Sequence, residues 1–170
     1  MTNLTNKTAL VTGASRGIGR ATALALANAG AYVLVHYGKS QKDADTLVAA
    51  IRSGGGRADS VGGDLAAAGA AAELVTKVRS LIGDRLDVLV ANAGISKAGR
   101  IEDHTIEDFD NLFATNVRAP FFLVQQLLPV LGEGSSIVVT TSLAARVSPG
   151  APGQAGAPSL PAYGRNQRSA

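Results

Sequence analysis

Five short strand-like runs, four of them mainly apolar, punctuate this sequence, and between them apolar positions recur at helical spacing. The runs lie near Thr8–Thr12, Tyr32–His36, Arg57–Gly62, Leu86–Ala91 and Ser136–Thr141. Val88-Leu89-Val90-Ala91 and Ile137-Val138-Val139 are apolar on consecutive rather than alternate residues, as strands covered on both faces are. The stretches between predict helices near Gly17–Ala29, Lys42–Ser53, Ala67–Leu81 and Ile106–Leu131. Strand and helix in strict alternation predict βαβ units, hence an α/β doubly wound parallel sheet. Right-handed crossovers then give the strand order 3-2-1-4-5, with a ligand crevice at the carboxyl ends of the strands.

Within the first helix, Ile18, Ala21, Ala25 and Ala29 share a face whose small side chains permit close docking on the sheet. Gly30 ends that helix, and Gly54-Gly55-Gly56 ends the second. The long last helix carries Phe109, Leu112, Phe113 and Asn116 on one face, and Pro120 is expected to divide it into two segments. From Ser148 onward the sequence turns to Pro, Gly, Ala and Ser without periodicity, so the reading is one domain over residues 1–147 and an irregular tail over 148–170.

Composition narrows the function classes. A length of 170 residues with 46% hydrophobic and only 4% aromatic content suits one core in which small side chains let helices pack tightly on a sheet. The net charge of +3 is spread along the chain, with no basic stripe interleaved with aromatics, so no nucleic-acid partner is expected. The absence of cysteine excludes disulfides and thiolate-bound zinc, and no metal site is expected. Neither a secretory signal nor a membrane-spanning run is legible, and the default expectation is a cytoplasmic protein that does not associate with membranes.

The sharpest chemical signal is Thr12-Gly13-Ala14-Ser15-Arg16-Gly17-Ile18-Gly19, placed directly after the run Ala9-Leu10-Val11. A strand, a glycine-rich bend and a helix start together make a phosphate cradle. Gly13 permits the tight bend, Gly17 close approach of backbone to a pyrophosphate, and Gly19 close packing of the helix. The free N–H groups and positive dipole end of the helix then meet the anion. The end of the second run reads Val35-His36-Tyr37-Gly38-Lys39-Ser40, without the acid that binds an adenosine ribose diol and repels a 2′-phosphate. Arg16, Lys39 and Ser40 are candidate ligands of such a phosphate; the alternative for the two cations is solvated surface charge. NADP(H) is therefore preferred, with NAD(H) possible.

The spacing Gly-x-x-x-Gly-x-Gly resembles the short-chain dehydrogenase/reductase family, and the likeness extends in order from Lys7 to about Tyr163. Asp64 and Leu65 follow the third run, Asn92-Ala93-Gly94 the fourth, Asn116 lies in the long helix, and Ser142 ends the fifth run. The resemblance implies a Rossmann-type fold, usually as a homo-oligomer, and hydride transfer between a nicotinamide cofactor and a small carbonyl or alcohol. It is greatest to the NADPH-dependent ketoacyl reductases. It implies that Asp64 binds the adenine edge, although Asp is equally suited to cap the next helix. Asn92, Ala93 and Gly94 would leave room for ribose and adenine, or simply form a strand-ending turn. Ser142 would anchor the substrate oxygen, its alternative being strand punctuation. Asn116 would support a water chain, its alternative being a satisfied core amide. Tyr163 would supply the proton.

The carboxyl end departs from the family. Tyr163 follows Ser142 at a longer gap than is usual, and Gln167 stands four residues on, where the family has the lysine that lowers the tyrosine's pKa. A neutral amide supplies no positive field, so the phenol should keep its ordinary value of about 10. Relatives often read Tyr-Gly-Ala-Thr-Lys-Gly-Ala, against Tyr163-Gly164-Arg165-Asn166-Gln167-Arg168-Ser169 here. One cytosine inserted into GCA-ACC-AAA-GGA-GCG gives CGC-AAC-CAA-AGG-AGC, encoding Arg-Asn-Gln-Arg-Ser, so a truncating frameshift is the expected origin. The expectation that follows is an oxidoreductase fold with weak or no turnover, marginal solubility and an exposed apolar edge at the fifth strand; a catalytically inactive dinucleotide-binding module and a nonfunctional fragment are the alternatives.

Overall fold

The computed structural model describes residues 3–142. Five parallel strands, β1 Thr8–Val11, β2 Tyr32–Tyr37, β3 Arg57–Gly62, β4 Val88–Ala91 and β5 Ser136–Val139, form one sheet in the order β3-β2-β1-β4-β5. This is the predicted doubly wound arrangement. The helices are α1 Gly17–Asn28, α2 Gln41–Ser53, α3 Ala70–Ile82, α4 Ile106–Phe113 and α5 Ala119–Leu127.

Register explains why the central strands are apolar at every position. Leu10 of β1 pairs with Leu34 of β2 and Leu89 of β4, while Val11 pairs with Val35 and Val90. Because side chains alternate across a strand, the leucine row enters one face and the neighbouring rows the other. Ala9, Val11, Val33 and Val35 pack under α1 and α2 with Ala23, Ala27, Leu47 and Ile51. Leu10, Leu34 and Leu89 pack under α3 and α5 with Leu74, Val78, Leu123 and Leu127. β1 and β4 are tied at their starts by buried Asp87, which accepts from Lys7 Nζ (3.0 Å), Thr8 N (3.0 Å) and Arg85 Nε (3.1 Å). Burial pushes that carboxyl up, but the three donors outweigh it and hold the group below its ordinary value.

Two expectations need correction. The docked face of α1 is Gly19, Ala23 and Ala27, while Ile18 is 68% exposed and Ala21 and Ala25 face outward. Gly19 sets the rotation, because without a Cβ it approaches the backbone of the preceding bend and draws its own face inward. α3 begins at Ala70, not Ala67; a turn over residues 65–69 precedes it and ends at Gly69, whose φ is +77°.

The long helix is divided, as Pro120 requires. α4 passes into a π-helical turn, Ala114–Arg118, before α5 starts with proline in its first turn. Pro120 has no N–H to donate to the carbonyl one α-turn earlier, and the wider turn absorbs that missing bond. Along α4 and α5 the apolar stripe of Phe109, Phe113, Val117 and Phe121 points outward, with the Phe109 and Phe113 rings stacked at 4.3 Å. β5 is an edge among the described residues, and Ile137, Val138 and Val139 are 43–52% exposed.

Candidate nucleotide site

β1 and β4 lie side by side, but the chain leaves them toward opposite ends of the sheet order. Their carboxyl ends therefore open a crevice, and the glycine bend occupies it. Thr12 holds the bend to the end of β4. Its buried hydroxyl accepts from Asn92 N and Ala93 N, each at 2.9 Å, and is 3.4 Å from the Val90 carbonyl, to which it donates. Asn92 Nδ2 returns the tie, donating to the Thr12 and Gly13 carbonyls at 3.0 and 3.3 Å. Asn92-Ala93-Gly94 is thus fastened to the bend rather than being a simple strand-ending turn.

The three glycines answer to different constraints. Gly13 has φ +62°, and a Cβ there would sit 2.8 Å from Ala93 Cα. A Cβ on Gly19 would stand 2.4 Å from the Gly13 carbonyl oxygen and 2.5 Å from Asn92 Nδ2. Gly17 has φ +56° with nothing within 4 Å of where its Cβ would be, so its backbone faces open space. That opening lies at the start of α1. The N-cap Arg16 is extended (φ −151°, ψ 173°), makes no side-chain capping bond, and no acid occupies the first turn. The first N–H groups of α1 consequently have neither a side-chain acceptor nor a carboxylate before them, and the helix dipole is unbalanced there.

In front of α1 lies a cleft of about 600 Å3. It is lined by Gly13, Ser15, Arg16, Gly17, Ile18, Lys39, Ser40, Asp64, Leu65, Asn92, Ala93 and Gly94, which gathers the sequence candidates of this group except Gly19, buried behind them. Lys39 and Ser40 stand where β2 runs into α2, and Ser40 is the N-cap of α2 without a side-chain capping bond. Asp64 does not cap α3: its Oδ1 accepts from Ala66 N at 3.0 Å and shapes the turn that carries Leu65 into the core. Two cations, a hydroxyl and uncapped helix N–H groups around one cleft form a donor set matched to phosphate.

Asn116 sits in the π-helical turn and is exposed, not a core amide. Its Oδ1 accepts from Ile95 N and its Nδ2 donates to Ile95 O, both at 2.9 Å, which fixes the chain just after Gly94. Ser142 lies three residues past the end of β5. Tyr163, Gln167 and the tail over 148–170 lie outside the described residues, so the catalytic trio is not assembled among them.

Sequence reasoning missed His36, which lines the same cleft and is buried at the end of β2. Its Nδ1 is 3.1 Å from Gly13 N and its Nε2 3.0 Å from the Gly63 carbonyl. Burial drives the imidazole down to about 4, with the Gly63 hydrogen bond opposing and the Lys77 charge adding to the fall. The signal was present: a polar ring inside an apolar strand needs partners.

Residues 7–155 match the family model for short chain dehydrogenase. Versicolorin reductase stcU of Emericella nidulans is 40% identical over 144 residues, 85% of this chain and 54% of that protein. Hydroxynaphthalene reductase arp2 of Aspergillus fumigatus is 38% identical over 152 residues, 89% of this chain and 55% of that protein. The chain thus spans about half the length of these curated relatives. Among solved structures, the angucycline C-6 ketoreductase LanV with bound NADP superposes with a TM-score of 0.83 at 43% identity, covering 86% of this chain and 59% of LanV. A short chain dehydrogenase from Burkholderia cenocepacia in complex with NADP gives a TM-score of 0.80 at 44% identity, covering 84% and 58%. The glycine bend, the strand order and the family match over residues 7–155 agree: this chain belongs to the short-chain dehydrogenase family.

Proposed function

We propose that this chain binds NADP(H), in preference to NAD(H), as an oxidoreductase of ketoacyl-reductase type acting on a small carbonyl or alcohol. The observation that carries the reading is the uncapped start of α1 facing a cleft that also holds Arg16, Lys39 and Ser40, with no acid at the end of β2. The NADP-bound neighbours support it.

In this reading the N–H groups of Gly17 and Ile18 hold the pyrophosphate. Arg16, Lys39 and Ser40 take the 2′-phosphate, Asp64 and Leu65 border the adenine, and Asn92, Ala93 and Gly94 border the ribose. When bound, the reduced nicotinamide supplies a hydride to the carbonyl carbon. Ser142 holds the carbonyl oxygen by donating to it, and Tyr163 delivers a proton to that oxygen. Asn116 keeps the Ile95 segment in place and supports the water chain through which Tyr163 regains its proton. The outward stripe along α4 and α5 supports a homo-oligomeric contact of the kind usual in the family.

Gln167 favours a second reading, binding without turnover. No cation stands four residues after Tyr163 to supply the positive field that makes such a phenol a stronger acid, so proton delivery to the substrate oxygen is slow in this reading. Calorimetric titration of the purified chain with NADPH and with NADH, paired with a ketone-reduction assay, tests both. NADPH binding at least tenfold tighter than NADH is expected; binding without turnover selects the second reading, and no binding of either nucleotide overturns the assignment.

A further inference from the structure

His36 takes no part in the roles assigned above, yet its two ring nitrogens reach opposite walls of the cleft. Nδ1 faces the N–H of Gly13, in the bend after β1, at 3.1 Å. Nε2 faces the carbonyl of Gly63, in the segment after β3, at 3.0 Å. A backbone N–H only donates and a carbonyl only accepts, so the partners dictate a neutral ring with its proton on Nε2. The backbone of His36 also serves the bend, its carbonyl accepting from Ala14 N at 2.8 Å. Among the described residues, no other side chain hydrogen-bonds to both the bend and the Gly63 segment.

Resting on the nucleotide reading of the cleft, we propose that His36 is a positioning residue. It holds the phosphate-binding bend at a set distance from the Gly63–Leu65 wall, so that loss of its acceptor nitrogen, by substitution or by protonation, weakens NADP(H) binding. The wall it fixes carries Asp64 and Leu65, and the bend carries Ser15 and Arg16. One imidazole therefore sets the separation of the two halves of the cleft. A protonated ring would aim N–H at the Gly13 N–H, two donors facing one another, and the bend would be released.

The charges around the ring favour the neutral state. Lys77 of α3 acts on it directly and disfavours protonation, while Lys39 after β2 and Arg16 at the start of α1 line the same cleft. Asp64, after β3, is the acid lining that cleft. With burial pushing the imidazole down to about 4, the link holds through neutral pH and opens only in acid.

The test uses the whole chain and NADP+, which survives acid better than NADPH, with dissociation constants measured by calorimetry from pH 7.5 to pH 4. His36→Leu removes both bonds and is expected to weaken binding about tenfold at pH 7.5, the worth of a buried hydrogen-bonded link. His36→Asn places an acceptor oxygen where Nδ1 stood and is expected to bind within threefold of wild type. Because the 2′-phosphate titrates near ~6 in every variant, the readout is the ratio of wild type to His36→Asn. That ratio of dissociation constants should rise as pH drops from 5 to 4. Should His36→Leu fail to fold, 15N spectra of the wild type decide: Nδ1 unprotonated at neutral pH, with the Gly13 amide shifting in step with the ring's titration, supports the link. The inference is overturned if His36→Leu binds within twofold of wild type, if His36→Asn loses as much as His36→Leu, if wild type and His36→Asn weaken in parallel in acid, or if Nδ1 carries the proton. Failure of the wild type to bind NADP+ at pH 7.5 sinks the nucleotide reading itself, and the inference with it.

Discussion

Replacing Thr12 with valine isolates the tie between the glycine bend and β4. The two side chains have nearly the same shape, and Thr12 is only 1% exposed, so packing should be almost unchanged. What disappears is the hydroxyl that accepts from Asn92 N and Ala93 N at 2.9 Å. Each buried N–H left without a partner costs about 1–3 kcal/mol. The methyl that replaces the hydroxyl recovers at most about 1 kcal/mol by burial. For two such groups the expected net loss is about 1–5 kcal/mol, centred on ~3 kcal/mol. Thr12→Ser keeps the hydroxyl and drops only a methyl, so it should cost about 1 kcal/mol. Urea unfolding followed by far-ultraviolet circular dichroism measures both, with an unchanged denaturant slope as the check that only stability moved. If Thr12→Val proves as stable as Thr12→Ser, the Thr12 hydroxyl does not hold Asn92-Ala93-Gly94 to the bend, and the account of the crevice given above is wrong.

Two further outcomes follow from the cleft. Gly19→Ala should abolish nucleotide binding in titration and lower the melting temperature, because its Cβ would lie 2.4 Å from the Gly13 oxygen and α1 must withdraw; Gly17→Ala, with open space and only a positive φ to satisfy, should cost about 1–2 kcal/mol. Acid should destabilise the chain through His36. Its folded value of about 4 lies below the 6.5 of a solvated imidazole, so the unfolded chain takes the proton first. The contribution is complete above pH 6.5, declines as pH falls toward 4, and is lost below that, a total of about 3 kcal/mol at ~1.4 kcal/mol per pH unit. Denaturant midpoints of wild type and His36→Asn across that range measure it, and parallel curves would refute it.

The sheet was legible because its central strands are apolar on consecutive residues, and the glycine spacing located the crevice at their carboxyl ends. Twelve of the cofactor candidates indeed line one cleft. The face of α1 was misread because alanines at Ala21, Ala23, Ala25 and Ala27 give almost no amphipathic contrast; the close contact at Gly19, a tertiary feature, decides the rotation. In α4 the periodicity is strong, but it reports which residues share a side, not whether that side turns inward, and Phe109 and Phe113 turn out. The role of His36 was not legible because its partners, the Gly13 N–H and the Gly63 carbonyl, are backbone groups that only the folded sheet brings to it. Asn116 was singled out on its residue type within an apolar stripe, while its partner, the Ile95 backbone, is a loop contact that no local pattern encodes.

The five-residue turn at Ala114–Arg118 has a consequence for how this helix can vary. One surplus residue in a helix advances everything downstream by roughly 100°. That offset is what brings Leu123 and Leu127 onto Leu74 and Val78 while Asn116 keeps hold of Ile95. Side chains here can be exchanged one at a time, but the count of residues between Thr105 and Leu127 is locked: a single deletion would leave every residue in place by name and swing the carboxyl half onto the wrong azimuth.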